Sequence, residues 1–185
     1  VHSGAECLVR LEPAPAHSGI TINGTRLGPE CLTDDFLATT IQTERGLVRT
    51  TEHLTAAVMM LDLDDILIEV TGGEVPILDG SAAPWVDRLS TLVQVSEVPL
   101  VLPTVPHNIH VAEGTGWMQV EPSQLFELEV TVDYPQLGRH QIVLLSHELL
   151  ALAPARTFGF LADRDRLVSQ GLARGASLAN TVVFD

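Results

Sequence analysis

Apolar positions come in short runs whose spacing changes along the chain. Residues 6–11 and 19–23 read as short strands around a Pro/His/Ser turn. Residues 36–43 and 46–51 read as a strand pair turning at Glu44-Arg45-Gly46. Thr51 is then a suitable N-cap, and Glu52 falls in a first helical turn, where the helix dipole favours a carboxylate. Leu54, Ala57, Val58 and Leu61 follow at helical spacing and give one apolar face. Residues 66–70 predict a buried strand, and 71–76 a turn. Ser81 can cap a second helix that tolerates Pro84 in its first turn and lines its inner face with Trp85, Leu89, Leu92 and Val93. Pro99, Pro103 and Pro106 mark a boundary near 97–106. Beyond it, strands are expected at 107–111, 117–121, 125–133 and 139–144, with a short helix at 147–153 capped by Ser146. A loop at 154–160, a helix near 161–170 stopped by Gly171 and Gly175, and a strand at 178–184 complete the pattern. The class is α+β in two units, 1–98 and 99–185, with the second incomplete.

Composition narrows the possible partners. At 185 residues and 45% apolar content the chain can bury a real core. No apolar run approaches the roughly 20 residues of a membrane-spanning helix, and no basic-then-apolar signal segment opens the sequence. A cytoplasmic protein with no membrane span is expected. The net charge is −14, and all ten basic residues are Arg. Without a basic stripe, nucleic acid is not an expected partner, since phosphate neutralisation supplies most of that affinity. Cys7 and Cys31 make neither a disulfide framework nor a Cys-rich zinc module, and read as small buried hydrophobes. Val1-His2-Ser3-Gly4 reads as a turn entered from a preceding strand, and the chain stops inside an apolar run at Asp185. Both ends read as cut, so a fragment is expected.

The candidate chemistry is sparse. Glu52-His53 at a helix start pairs a carboxylate with an imidazole that the dipole keeps neutral, as a metal ligand must be. A carboxylate there could serve as general base, whereas the bland alternative is a solvated Glu-His surface pair. His107 and His110, three apart on a strand, face opposite ways; with His17, His140 and His147 they read as ordinary groups. Asp79 in Ile77-Leu78-Asp79-Gly80-Ser81 reads first as a cap and second as the orienter of a neighbour. In Arg156-Thr157-Phe158-Gly159-Phe160 the hydroxyl could serve an oxyanion and Phe158 an acyl pocket; the alternative is a plain junction with both rings in the core.

Several segments, taken in order, resemble one family. They are Val1-His2-Ser3-Gly4, Leu11-Glu12-Pro13-Ala14-Pro15-Ala16, Thr51-Glu52-His53-Leu54-Thr55-Ala56-Ala57 and Glu74-Val75-Pro76-Ile77-Leu78-Asp79-Gly80-Ser81-Ala82-Ala83-Pro84. Ala155-Arg156-Thr157-Phe158-Gly159-Phe160 and Gly171-Leu172-Ala173-Arg174-Gly175-Ala176-Ser177-Leu178 follow. Together they resemble the UDP-3-O-acyl-N-acetylglucosamine deacetylases of lipid A synthesis. The resemblance implies two similar units, each a mostly antiparallel sheet with paired helices, their helix layers packed against each other. It implies zinc-dependent hydrolysis of the acetamide of an acylated UDP-sugar. His53 would be a zinc ligand, Glu52 the general base, Thr157 an oxyanion donor and Phe158 a contact to sugar or acyl chain, with His2 at the site's edge.

The family's other zinc ligands lie in a later His-Lys-x-x-Asp segment, and a later His completes its acid–base pair. This sequence has neither and contains no Lys. An open catalytic zinc site uses three protein ligands, so the chain alone is expected to be inactive. Either a missing C-terminal segment or a second chain completes the site, or this is a non-catalytic short homologue that binds an acylated sugar or a partner protein.

Overall fold

The computed structural model describes residues 1–33, 37–100 and 104–185. In chain order, its strands and α-helices begin with β1 (Leu8–Pro13), β2 (Ile20–Ile22), β3 (Thr25–Arg26), β4 (Leu32–Thr33), β5 (Thr40–Thr43) and β6 (Gly46–Val48). Next come α1 (Glu52–Met60), β7 (Ile66–Thr71), α2 (Ala83–Ser90), β8 (Ile109–Glu113), β9 (Gly116–Val120), β10 (Glu127–Tyr134) and β11 (Gly138–Leu145). The last are β12 (Phe158–Phe160), α3 (Arg164–Ser169) and β13 (Val182–Phe184). The class is α+β, as expected. None of the described helices is long and apolar enough to cross a membrane.

The chain divides into two compact units, Val1–Ser96 with Leu150–Asp185, and Glu97–Leu149. The sequence reading put residues 99–185 together; in the structure the return segment from 150 groups with the first unit. Hydrogen bonds supply the reason. Thr157 N–H donates to Gly80 O at 2.7 Å, and Gly175 N–H to Val1 O at 2.8 Å.

In the first unit, β7 lies between β1, antiparallel, and β2, parallel, with β3 at the edge. Its residues alternate as a half-buried strand should, with Ile66, Ile68 and Val70 inside. These join Ile22, Leu54, Ala57, Val58, Trp85 and Leu89 in one core, where α1 packs against α2. Full burial of a side chain such as Leu54 contributes about 1.5–3 kcal/mol. Asn23 continues the ladder past β2: its N–H donates to Ile68 O, its Nδ2 to Val70 O at 3.0 Å, and its Oδ1 accepts Val70 N–H at 2.7 Å. A second sheet, β4-β5-β6, is antiparallel.

Several elements differ from expectation. The 36–43 strand is β5, from Thr40; position 36 lies outside the described residues. Thr51 precedes α1 but makes no capping bond; its hydroxyl donates to Thr39 O at 3.0 Å, a tertiary contact. Val93 is exposed, because α2 ends before it. Residues 158–160, read as loop, form β12 parallel to β13, and the following helix shortens to α3. Phe158 and Phe160 gain strand partners from a segment more than 20 residues on, which local pattern does not reveal.

The second unit consists of two antiparallel hairpins, β8-β9 and β10-β11. It contains no α-helix among its described residues. His110 stacks on Trp117 with ring centroids 5.9 Å apart.

Candidate active site

Glu52 and His53 occupy the first turn of α1 because the apolar face of the helix, Leu54, Ala57 and Val58, is anchored in the core. Both are half-buried. Burial holds the His53 imidazole below its ordinary pKa of about 6.5, while the nearby carboxylates of Glu52 and Asp79 pull it the other way. The ring is therefore kept neutral with a lone pair to give, the state a metal requires. Glu52 is steered from the segment that enters β5, since Thr39 N–H donates to its Oε2 at 3.0 Å. Thr51 N–H in turn donates to Thr39 O at 3.1 Å, so the start of α1 is laced to the entry of β5.

Asp79 serves the start of α2 through Ser81. Its Oδ1 accepts Ser81 N–H at 3.0 Å and Ser81 Oγ–H at 2.8 Å, and Ser81 Oγ accepts Ala83 N–H at 3.2 Å to start α2. Its charge also acts on His53. The next residue, Gly80, has φ +87°, and a Cβ there would sit 1.9 Å from the Asn180 carbonyl oxygen. Only glycine fits this position. That close approach holds Thr157 against the loop. Thr157 N–H donates to Gly80 O, Val182 N–H donates to Thr157 O at 3.0 Å, and Arg156 donates Nε–H to Asp79 O at 2.8 Å and an Nη2 hydrogen to Leu178 O at 3.1 Å.

Phe158 is 39% exposed on β12. Its ring meets Phe160 edge-on at 5.9 Å and Phe184 at 5.8 Å. The three make a partly open aromatic face rather than core. His2 lies elsewhere in the same unit, between Leu37 and Ala173: Ala173 N–H donates to Nδ1 at 3.4 Å, and Nε2 stands 3.3 Å from Leu37 O.

The structure thus links Glu52, His53 and Asp79 by charge, Asp79 and Thr157 through Gly80 and Arg156, and His2 to Glu52 through the 37–39 segment. Among the described residues no three His, Cys, Asp or Glu side chains converge on one point, so they do not by themselves form a three-ligand metal site. The sequence reading missed Thr39 and the Arg156 clamp. The first acts through its backbone, the second through bonds to carbonyls, and neither leaves a mark in residue spacing.

A family model described as UDP-3-O-acyl N-acetylglycosamine deacetylase matches residues 1–185. The chain belongs to this family. Its relatives include proteins named UDP-3-O-acyl-N-acetylglucosamine deacetylase. One from Thermosynechococcus vestitus is 36% identical, covering 99% of this chain and 68% of that protein. Others are from Shewanella violacea, 32% identical, and Glaesserella parasuis, 34% identical, each covering 100% of this chain and 66% of the relative. The chain spans about two thirds of the length of the curated relatives it matches.

Proposed function

We propose that this protein takes part in hydrolysing the acetamide of a UDP-3-O-acyl-N-acetylglucosamine in the bacterial cytoplasm, the reaction named for its relatives, as a step of lipid A synthesis. The observation that carries the proposal is the pair at the start of α1: a neutral imidazole beside a carboxylate held by the Thr39 amide. Water adds its oxygen to the carbonyl carbon, the carbon–nitrogen bond breaks, and acetate and a free sugar amine leave. Glu52 takes the proton from the attacking water. The Thr157 hydroxyl donates to the oxygen on which negative charge develops. Phe158 and its aromatic neighbours offer an apolar surface to sugar or acyl chain. A zinc ion, held by His53 together with ligands from a further segment or a second chain, would supply Lewis acidity at the carbonyl and the water.

The rival reading is a non-catalytic binder of an acylated sugar or a partner protein, favoured by the absence of a converging ligand set among the described residues. Elemental analysis of the full-length protein separates the two. About one zinc per protein, lost in His53→Ala with folding intact, is expected. A folded full-length protein without stoichiometric zinc would favour the rival.

A further inference from the structure

Glu74 is the most deeply buried carboxylate among the described residues, 2% exposed, and no part of the proposed reaction uses it. An isolated buried anion is costly, so its surroundings must compensate. They do so with donors from residues 1–3 and from Thr50. His2 N–H donates to Oε1 at 2.7 Å and Ser3 N–H to Oε2 at 2.9 Å, while the Ser3 hydroxyl also donates to Oε2. The Val1 nitrogen lies 2.5 Å from Oε1, and the buried Thr50 hydroxyl donates to Oε1 at 3.2 Å. Burial alone would raise this carboxyl's pKa; the hydrogen bonds outweigh it and hold the group well below the usual carboxylate range.

The carboxylate is itself fixed from behind. Arg49 N–H donates to Gly73 O at 3.0 Å and Val75 N–H to Arg49 O at 2.9 Å, so Glu74 sits in a short parallel bridge to the chain leaving β6. Its position is therefore set by the core, and it transmits that position to the backbone of residues 1–3. The His2 ring completes the arrangement. A backbone N–H can only donate and a carbonyl can only accept, so Ala173 makes Nδ1 the acceptor and Leu37 makes Nε2 the protonated nitrogen. The Nε2–H tautomer is the one that satisfies both contacts, which are long and partly solvated. They orient a ring whose main chain is already in place; they are too weak to place it.

We infer that Glu74 is a positioning residue for His2: its buried carboxylate holds the backbone of His2 and Ser3 so that the imidazole meets Ala173 and Leu37 in the Nε2–H tautomer. The inference rests on the reading that His2 borders the substrate. It adds that the alignment of His2 depends on a carboxylate that touches no substrate.

The test uses the full-length protein. Imidazole nitrogen-15 shifts of His2, assigned with His2→Gln, should report the single Nε2–H tautomer in the parent and a mixture in Glu74→Gln, whose amide nitrogen opposes donors with a donor. On UDP-3-O-acyl-N-acetylglucosamine, Glu74→Gln should lower kcat/KM by roughly ten- to a hundredfold, the cost of a misplaced site group. The His2→Ala and Glu74→Gln effects should be non-additive, the double variant being no worse than the poorer single one. If Glu74→Gln does not fold, Ser3→Ala and Thr50→Val each remove one donor and should shift the tautomer ratio part-way. An unchanged His2 tautomer in the folded Glu74 variant, or in both donor variants, overturns the inference, as does strict additivity. Normal turnover by His2→Ala would instead defeat the reading of His2 at the substrate, and the tautomer measurement would still decide the role of Glu74.

Discussion

Gly80→Ala probes the contact that holds Thr157 to the Asp79 loop. Two separable costs arise. The first is conformational: φ is +87°, and a left-handed backbone costs an L-residue about 1–2 kcal/mol. The second is steric. The new methyl would lie 1.9 Å from the Asn180 carbonyl oxygen, 2.8 Å from its carbon and 3.3 Å from Thr157 Cγ2. The first two are backbone atoms, which cannot swing aside as a side-chain tip would. The 177–181 turn is braced by Asn180 N–H to Ser177 O and Thr181 N–H to Ser177 O. Forcing a methyl into a packed contact costs about 1–3 kcal/mol. The unfolded chain loses freedom with alanine, which offsets about 0.4–1 kcal/mol. The net expectation is a loss of about 2–4 kcal/mol, a large share of the ~5–15 kcal/mol that stabilises an ordinary domain. Gly46→Ala is the matched control, with φ +111° and nothing within 4 Å of its Cβ, so it reports the conformational cost alone. Urea unfolding of both variants measures the difference. Deacetylation by Gly80→Ala should also fall, by about a hundredfold if Thr157 moves by 1 Å. A Gly80→Ala protein as stable as Gly46→Ala, with full turnover, would refute the assignment of this contact as the clamp on Thr157.

Two further outcomes follow from the first unit. Asn23→Ala should cost about 2–4 kcal/mol by denaturant unfolding: it strands the Val70 N–H and C=O in a site 6% exposed, and Asn23 holds φ +49°, which alanine tolerates poorly. Acid titration should show stability falling with pH below about 4.5. Asp65, which accepts Gly19 N–H at 2.7 Å and His17 N–H at 3.0 Å, and Glu74 both have carboxyl pKa values lowered by these and similar bonds. A depressed carboxyl contributes stability above its unfolded value and loses it as pH falls toward its folded one. Glu74→Gln should flatten that acid limb relative to the parent; an unaltered limb would contradict the assignment of Glu74.

What the sequence revealed, and what it hid, follows the range of the interactions. α1 was legible because Leu54, Ala57 and Val58 repeat at helical spacing and the core takes up that same face. The start of α2 was legible in part: Ser81 accepts the Ala83 N–H, but the N-cap is Ala82 and has no side-chain capping bond. The β10-β11 hairpin was read to within two residues because its partners are neighbours in sequence. β12 was not, because Phe158 pairs with Val182 and no local pattern announces a parallel partner. In the site, Glu52 and His53 were visible as residue types at a helix start, and Thr157 and Phe158 only through their resemblance to a family. Glu74 was hidden, since its chief donors lie more than 70 residues earlier and two of them are backbone amides. A buried carboxylate in a short bridge looks, in sequence, like an exposed one.

On the proposed function, Glu52 and His53 at the start of α1 belong to a deacetylase site. The most direct measurement is acetate release from UDP-3-O-acyl-N-acetylglucosamine by the full-length protein and by Glu52→Gln, an isostere that keeps the helix and removes the base. Removal of a general base lowers kcat by about 10²–10⁴-fold, with little change in stability expected at this half-buried position. A Glu52→Gln protein that folds normally and releases acetate at the parent rate would contradict the account.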